Sequence, residues 1–216
     1  MNIASFIDHT VLKPAAVSSD IIRLCSEALV QNFAAVCVPP NHVKTAKSLT
    51  AGHLVKTATV IGFPFGYNSV QAKKAEIQKA IDDGADELDI VINLSALKEG
   101  NYDYLSKEIV TLLQPARLHR KIIKVIIESG ILTEQEIIQA CALYARHKVD
   151  FVKTSTGYAE KGATVEDVKL MRSNLPSEIK LKASGGIRTF AFAKELIDAG
   201  ADRIGTSSGI AIVRGE

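Results

Sequence analysis

The sequence is sparing with cysteine, with net charge and with long apolar runs, and each shortage removes a class of protein. Its three cysteines, Cys25, Cys37 and Cys141, are odd in number, widely spaced and never arranged as CxxC. That pattern offers neither a disulfide framework nor a zinc knuckle, and it makes a cytoplasmic location the expected one. The five histidines show no HxxxH or other tight ligand spacing, so neither a metal nor any other cofactor is expected. A formal net charge of +2 is too small to point to nucleic acid or to an anionic membrane surface. No stretch approaches the ~20 apolar residues that span a bilayer. The start, Met1-Asn2-Ile3-Ala4-Ser5, lacks the basic residues and apolar run of a secretory signal.

What is present reads as one globular domain over residues 1–216. Hydrophobic residues at 47% and charged residues at 23% are ordinary values for a packed chain and argue against disorder. Apolar strand-like runs alternate with amphipathic helical runs throughout. Strands are expected over Ser5–Leu12, Ala34–Val38, Thr57–Ile61, Leu88–Ile92, Ile122–Ile127, Phe151–Thr154, Lys180–Ala183 and Arg203–Thr206. Between them, Ser18-Ser19-Asp20, Asn41, Asn68 and Thr133 with Glu136 read as helix starts, and Tyr102–Leu113, Thr164–Met171 and Thr189–Ile197 as further helices. Eight strand–helix units of about 27 residues each are the arithmetic of a single-domain (β/α)8 TIM barrel, an α/β fold. A doubly wound open sheet is the competitor; it needs fewer strands, and no GxGxxG follows the first one.

The chain is organised around Asp150-Phe151-Val152-Lys153-Thr154-Ser155-Thr156-Gly157, an apolar strand that delivers a lysine to its end and opens into a hydroxyl- and glycine-rich turn. Burial makes an ammonium costly there and favours a nucleophilic amine. A second lysine follows in a similar setting, Leu181-Lys182-Ala183-Ser184-Gly185-Gly186. A phrase also repeats without gaps: Asn32–Cys37, Gly84–Asp89, Lys148–Lys153 and Gly200–Gly205. These fall on strands two, four, six and eight, which in a barrel contribute to one interior layer. Cys37, Asp89, Lys153 and Gly205 then share a ring, with Lys182 one layer off, nearer the mouth or beside it. Helix-ending glycines and β-branched strand starts produce such echoes by themselves, so the repeat supports fold before function. Asp89 and Lys153 in a layer that favours Val, Ile and Leu are expensive without a task, a buried ion pair being the plainer explanation.

A free lysine has a pKa of ~10.4, which leaves about one amine in a few thousand neutral at pH 7. A second ammonium at ~4 Å in an effective dielectric of 20 repels by about 4 kcal/mol, or roughly three pKa units. Two crowded lysines therefore suit imine chemistry on a carbonyl, with Asp89 moving protons; electrostatics alone leaves open which lysine is the nucleophile. Gly185-Gly186 after strand seven and Gly205-Thr206-Ser207-Ser208-Gly209 after strand eight occupy the places where barrels bind phosphate, although turns need glycine anyway. Asp8, ending strand one, is a candidate for a substrate hydroxyl, with capping or loop anchoring as the alternative. Cys37 and Lys124 are candidates to line the pocket, with packing the favoured reading for Cys37, and Glu128 and Lys124 also read as supporting or core-pair residues. Cys25 and Cys141 fall on apolar helix faces and read as core.

Taken together, Ile7-Asp8-His9-Thr10, Glu87–Asn93, Lys124–Glu128, Phe151–Gly157, Lys182–Arg188 and Gly205–Ser208 resemble the deoxyribose-phosphate aldolases, in order and over nearly the full chain. The resemblance implies a metal-free class I aldolase that reversibly cleaves 2-deoxy-D-ribose 5-phosphate to glyceraldehyde 3-phosphate and acetaldehyde. It implies that Lys153 forms the Schiff base, Lys182 perturbs it and Asp89 relays protons. Thr156, Gly157, Gly185, Gly186, Ser207 and Ser208 are then the substrate- and phosphate-binding positions. Two departures stand out: Tyr158 occupies a place where some members carry a phosphate-binding lysine, and the sequence stops at Glu216 without the tyrosine-ended tail of some members. Both bear on phosphate affinity and proton transfer rather than on reaction class. The expected partners are the phosphosugar and acetaldehyde, with no nucleic acid and no membrane. A homo-oligomer, dimer or tetramer, is admitted as the assembly. Competing readings are another Schiff-base lyase or transaldolase-like barrel, a phosphosugar isomerase using Asp89 or Glu128 as base, and a non-catalytic phosphometabolite-binding barrel.

Overall fold

In a computed structural model, which describes residues 2–216, eight parallel strands pair in sequence order and the first closes on the last. They are β1 (Ile7–Thr10), β2 (Ala35–Val38), β3 (Lys56–Ile61), β4 (Glu87–Val91), β5 (Ile122–Ile126), β6 (Phe151–Lys153), β7 (Lys180–Ser184) and β8 (Arg203–Thr206). The helices are α1 (Ser18–Gln31), α2 (Val43–Thr50), α3 (Val70–Asp82), α4 (Leu94–Lys98), α5 (Tyr102–Leu118), α6 (Glu134–Arg146), α7 (Val165–Ser173), α8 (Phe190–Asp198) and α9 (Gly209–Val213). This is the expected (β/α)8 barrel. Met1, part of the N-terminal expectation, lies outside the described residues.

Strand alternation sorts the side chains. Ile7, Val36, Leu88, Ile90, Ile123, Val125, Val152, Leu181 and Ile204 face outward into the apolar layer beneath the helices. The inward set is lopsided. Ala35, Cys37, Ala58 and Val60, with Leu12 and Phe63 against them, fill the β2–β3 side. The rest of the interior is ionic, built from Asp8, Glu87, Asp89, Lys124, Lys153, Lys182 and Arg203. Phe151 lies at the strand-start end of this cluster, with Lys124, Lys180 and Arg203 within 5.9 Å of its ring centre.

Local chemistry explains most element ends. Thr133 and Glu136 form the expected capping box, each side chain accepting the other's backbone N–H. Ser69, rather than Asn68, caps α3 by accepting from Ala72 N at 3.2 Å. Residues Ile3–Phe6 are a 3-10 turn and not strand, because pairing with β2 and β8 begins only at Ile7 and Asp8. Pro40–His42 is likewise a 3-10 turn, and α2 starts at Val43 instead of at Asn41. The sequence did not announce α4, which Asn93 caps through Ala96 N at 3.0 Å. Nor did it announce the passage of α5 through Pro115. A mid-helix proline costs about 3 kcal/mol, and buried Leu112, Leu113, Pro115 and Ala116 hold those last turns against the barrel. Among the described residues no helix is long and apolar enough to cross a membrane.

Candidate active site

On β6 the period of two turns Phe151 and Lys153 inward and Val152 outward. Lys153 is the last strand residue, and its side chain reaches the floor of a 620 Å³ cavity at the C-terminal strand ends. Register places Lys182 of β7 directly opposite it. The two ammonium groups converge on one oxygen: Lys153 Nζ and Lys182 Nζ each donate to Asp89 Oδ2 at 2.8 Å. Lys153 lines the cavity, whereas Lys182, expected one layer off and nearer the mouth or beside it, pairs with Lys153 in register and is fully buried at 0% exposure. Gly205 makes room for that arrangement. A Cβ there would stand 2.9 Å from both Lys182 Cε and Ser184 Cβ, so the bare backbone of β8 is what lets the Lys182 stem pass.

The remaining contacts fix the carboxylates. Asp89 Oδ1 accepts from Lys124 Nζ at 2.8 Å, which leaves Oδ2 facing the two other amines. Lys124 also meets Glu87 at 2.5 Å. Asp8 accepts Lys182 on Oδ2 at 2.5 Å and Arg203 on Oδ1 at 2.6 Å, and Arg203 reaches Glu87 at 3.4 Å.

Burial depresses the Lys153 amine below the ordinary lysine range; the Asp89 carboxylate pulls the other way and the Lys182 ammonium repels. Burial pushes on Lys182 in the same sense, but Asp8 and Asp89 outweigh it and hold that amine above its ordinary value. Burial alone would raise Asp89, yet Lys124, Lys153 and Lys182 overcome it and keep the carboxyl well below its usual range. The Cys37 thiol, buried next to Asp89, is pushed up to about 11 and stays protonated at neutral pH.

Above the floor, the turns after β5, β6 and β7 are laced together. Glu128, in the turn after β5 with a left-handed φ of 55°, accepts the Thr156 amide at 3.1 Å and its hydroxyl as well. Ser184 Oγ donates to Ser155 O at 2.6 Å, and Thr154 Oγ1 accepts from Ser184 N at 3.0 Å. The loop through Gly162 lies flat on Gly185: a Cβ on Gly162 would come within 2.2 Å of the Gly185 carbonyl oxygen.

Of the positions singled out in the sequence, Lys153, Thr156, Gly157, Gly185, Gly186 and Ser207 lie on this cavity wall. Asp89 and Lys182 lie beneath it in contact with Lys153. Three positions are corrected. Asp8 is fully buried, holds a cation on each oxygen and does not line the cavity, so it is out of reach of a substrate hydroxyl. Cys37 and Lys124 do not line the cavity; Cys37 packs in the apolar half of the interior and Lys124 is sealed between Glu87 and Asp89. Ser208 gives its amide to Thr206 Oγ1 at 2.9 Å and borders a smaller adjoining cavity with His9, Arg23 and Glu27.

The sequence missed Glu87 and Arg203 in the ionic cluster, and Lys13, Arg23 and Arg188 on the cavity wall, where Tyr158 also stands. The echo held a signal for the first two. Its fourth positions, Ala35, Glu87, Phe151 and Arg203, stand two residues before Cys37, Asp89, Lys153 and Gly205 and so share their inward face. Among the described residues, no group of three or more His, Cys, Asp or Glu side chains is placed to hold a metal ion.

A closed parallel barrel with a cavity at the C-terminal strand ends, and a buried, deprotonation-prone lysine on its floor, defines a barrel enzyme equipped for carbonyl chemistry. The chain belongs to the DeoC/LacD family of aldolases, whose family model matches residues 3–215. It is 53% identical over 212 residues to the deoxyribose-phosphate aldolase of Caldicellulosiruptor saccharolyticus, covering 98% of this chain and 96% of that protein. With the deoxyribose-phosphate aldolase of Thermococcus gammatolerans it shares 52% identity, covering 100% of this chain and 96% of that one. Among solved structures, the tetrameric deoxyribose phosphate aldolase of Aeropyrum pernix superposes with a TM-score of 0.92 at 33% identity, covering 98% of this chain and 89% of that one.

Proposed function

We propose that this chain, as one catalytic domain over residues 1–216, reversibly cleaves 2-deoxy-D-ribose 5-phosphate to D-glyceraldehyde 3-phosphate and acetaldehyde through an imine on Lys153. The observation that carries the proposal is that Lys153 and Lys182 share one oxygen of Asp89 while only Lys153 opens onto the cavity. The neutral Lys153 amine adds to the aldehyde carbon of the open-chain sugar, and loss of water from the carbinolamine leaves a protonated imine. Removal of the proton from the C3 hydroxyl breaks the C2–C3 bond. Its electrons enter the imine to give an enamine, and glyceraldehyde 3-phosphate departs. Protonation of the enamine carbon and hydrolysis release acetaldehyde and regenerate the amine. Asp89, a carboxylate in contact with Lys153, moves protons at the carbinolamine and enamine steps, directly or through water. Lys182 stays charged and disfavours a second ammonium at Lys153.

The phosphate is assigned to the end of the cavity formed by Gly185, Gly186 and Ser207, with Thr156 and Gly157 along the sugar. Lys13, Arg23 and Arg188 on the same wall give it a cationic character suited to an anionic substrate. The chemistry proposed needs no metal or other cofactor. A cytoplasmic location is supported by the three unpaired, buried thiols, and a homo-oligomer by the tetrameric relative. A coupled assay for acetaldehyde release, joined to borohydride trapping with acetaldehyde, tests the function. A two-carbon adduct on Lys153 is the expected product; turnover with Lys153 unmodified would point instead to an isomerase or a different lyase.

A further inference from the structure

The ionic cluster of the interior, buried except for a partly exposed Arg203, has an odd number of members. Asp8, Glu87 and Asp89 are its carboxylates, and Lys124, Lys153, Lys182 and Arg203 its cations. Every one of the seven touches at least one partner of opposite sign within 4.0 Å, and the three acids and three of the cations stay out of the cavity. A closed interior tolerates paired charge far better than a net charge. Four cations against three carboxylates leave an excess of one, and Lys153 is the member in contact with the cavity, where a proton can leave. We propose that Arg203 and Glu87, neither of which touches Lys153 or the cavity, are positioning residues of the reaction: they set the charge balance that makes Lys153 the member of the cluster that goes without its proton.

The geometry supplies the route. Arg203 holds Asp8 at 2.6 Å, and Asp8 in turn holds Lys182 at 2.5 Å. Glu87 holds Lys124 at 2.5 Å, and Lys124 fixes Asp89 Oδ1 at 2.8 Å. Both chains end on the carboxylate that Lys153 contacts. Other groups face Lys153 from outside this ion-paired set. From β2 comes Cys37, a protonated thiol; β3 offers only Ala58 and Val60. From the turn after β5 comes Glu128, a carboxyl that burial raises above its ordinary value against the pull of Thr156 and of the Lys153 charge; it acts on Lys153 from outside the ion-paired set and is untouched by changes at Arg203 or Glu87. On β7 the cation beside it is Lys182, and Lys180 sits exposed at the strand's far end beside Phe151.

The inference rests on Lys153 being the imine-forming amine, and the test separates the two ideas. Protonation of Lys153 is read without substrate, by competitive labelling with trace acetic anhydride across pH and mass spectrometry of the Lys153 peptide; kcat/KM is followed in parallel. Arg203→Met removes the excess cation. It should move the Lys153 titration and the ascending limb of kcat/KM upward by about one pH unit. Glu87→Gln, nearly the same shape, enlarges the excess and should move both downward by about one pH unit. Arg203→Lys keeps the charge and should restore the wild-type profile. Shifts in the same direction for Arg203→Met and Glu87→Gln, or no shift in either, would overturn the proposal. Should Arg203→Met fail to fold, an unmoved titration in Glu87→Gln overturns it alone. Failure of wild-type Lys153 to trap acetaldehyde would instead count against the aldolase reading.

Discussion

Lys153 and Lys182 hang from the same oxygen atom, Asp89 Oδ2, each at 2.8 Å. Their nitrogens are therefore no further apart than two hydrogen-bond lengths, in a site where neither is more than marginally exposed. The crowding is asymmetric. Lys182 has a second carboxylate, Asp8, and Lys153 has none, so the proton is held on Lys182 and loosened on Lys153.

Lys153→Leu is expected to abolish turnover and borohydride trapping while leaving the barrel intact, because leucine matches the stem of the lysine in a half-apolar interior. The comparison is activity against far-UV circular dichroism on the same preparation. Retained turnover would move the nucleophile to Lys182.

Lys182→Met removes a fixed cation next to Lys153, so the Lys153 pKa rises and the neutral amine appears only at higher pH. The ascending limb of the pH–rate profile should move up by at least about one unit, given the size of a charge–charge term at this range. An unmoved limb would contradict the role given to Lys182.

Asp89→Asn should slow turnover by about 100- to 10,000-fold, the usual scale for losing a proton-transfer group. Glu128→Ala acts elsewhere: it removes the acceptor for the Thr156 amide and hydroxyl and frees the turn that follows Lys153. It should raise KM by roughly tenfold or more and, because it also removes a carboxyl that interacts with the Lys153 charge, move the pH limb of kcat downward. Steady-state kinetics on the two variants distinguish chemistry from turn placement.

Acid should unfold the protein through its buried carboxylates. Burial by itself would raise Asp8 and Asp89, but their cation partners outweigh it and set both folded-state pKa values below the unfolded ones. Their stabilisation is complete above the unfolded value of about 3.9 and is lost as pH falls below it. Denaturant midpoints should hold roughly steady from pH 7 to about 5 and drop steeply below about pH 4.

A second sealed pair lies outside the barrel wall. Lys73, itself buried, donates to Glu108 at 2.8 Å and to the Val91 carbonyl at the end of β4, and Glu108 accepts from Asn93 N. Lys73→Met strands a buried carboxylate and should cost about 3–5 kcal/mol. Lys73→Met with Glu108→Leu should recover much of that in urea denaturation.

How far the sequence went depended on what each signal encodes. The echo placed Cys37, Asp89, Lys153 and Gly205 on the inner face, because strand periodicity is local and survives without knowledge of neighbours. Asp8 went astray for the converse reason. Its place at a strand end suggested a substrate contact, while its saturation by Lys182 and Arg203 depends on residues 174 and 195 positions away. Strand one was drawn too long, since Ser5 and Phe6 are apolar-run residues that no neighbouring strand reaches. The helix expected over Tyr102–Leu113 runs on through Pro115 to Leu118, because the proline's cost is local and the packing that offsets it is not.

The contact between Gly162 and Gly185 has a practical corollary for anyone reshaping this catalyst. That side of the substrate chamber is backbone laid on backbone and admits no added atom, so variation there will be punished whatever its chemistry. Elsewhere on the wall, Lys13, Ala15 and Ala16 face the same chamber from an exposed or half-exposed segment ahead of α1. New acceptor aldehydes should therefore be sought by mutating that flank, where side chains can grow or shrink without disturbing the amine below.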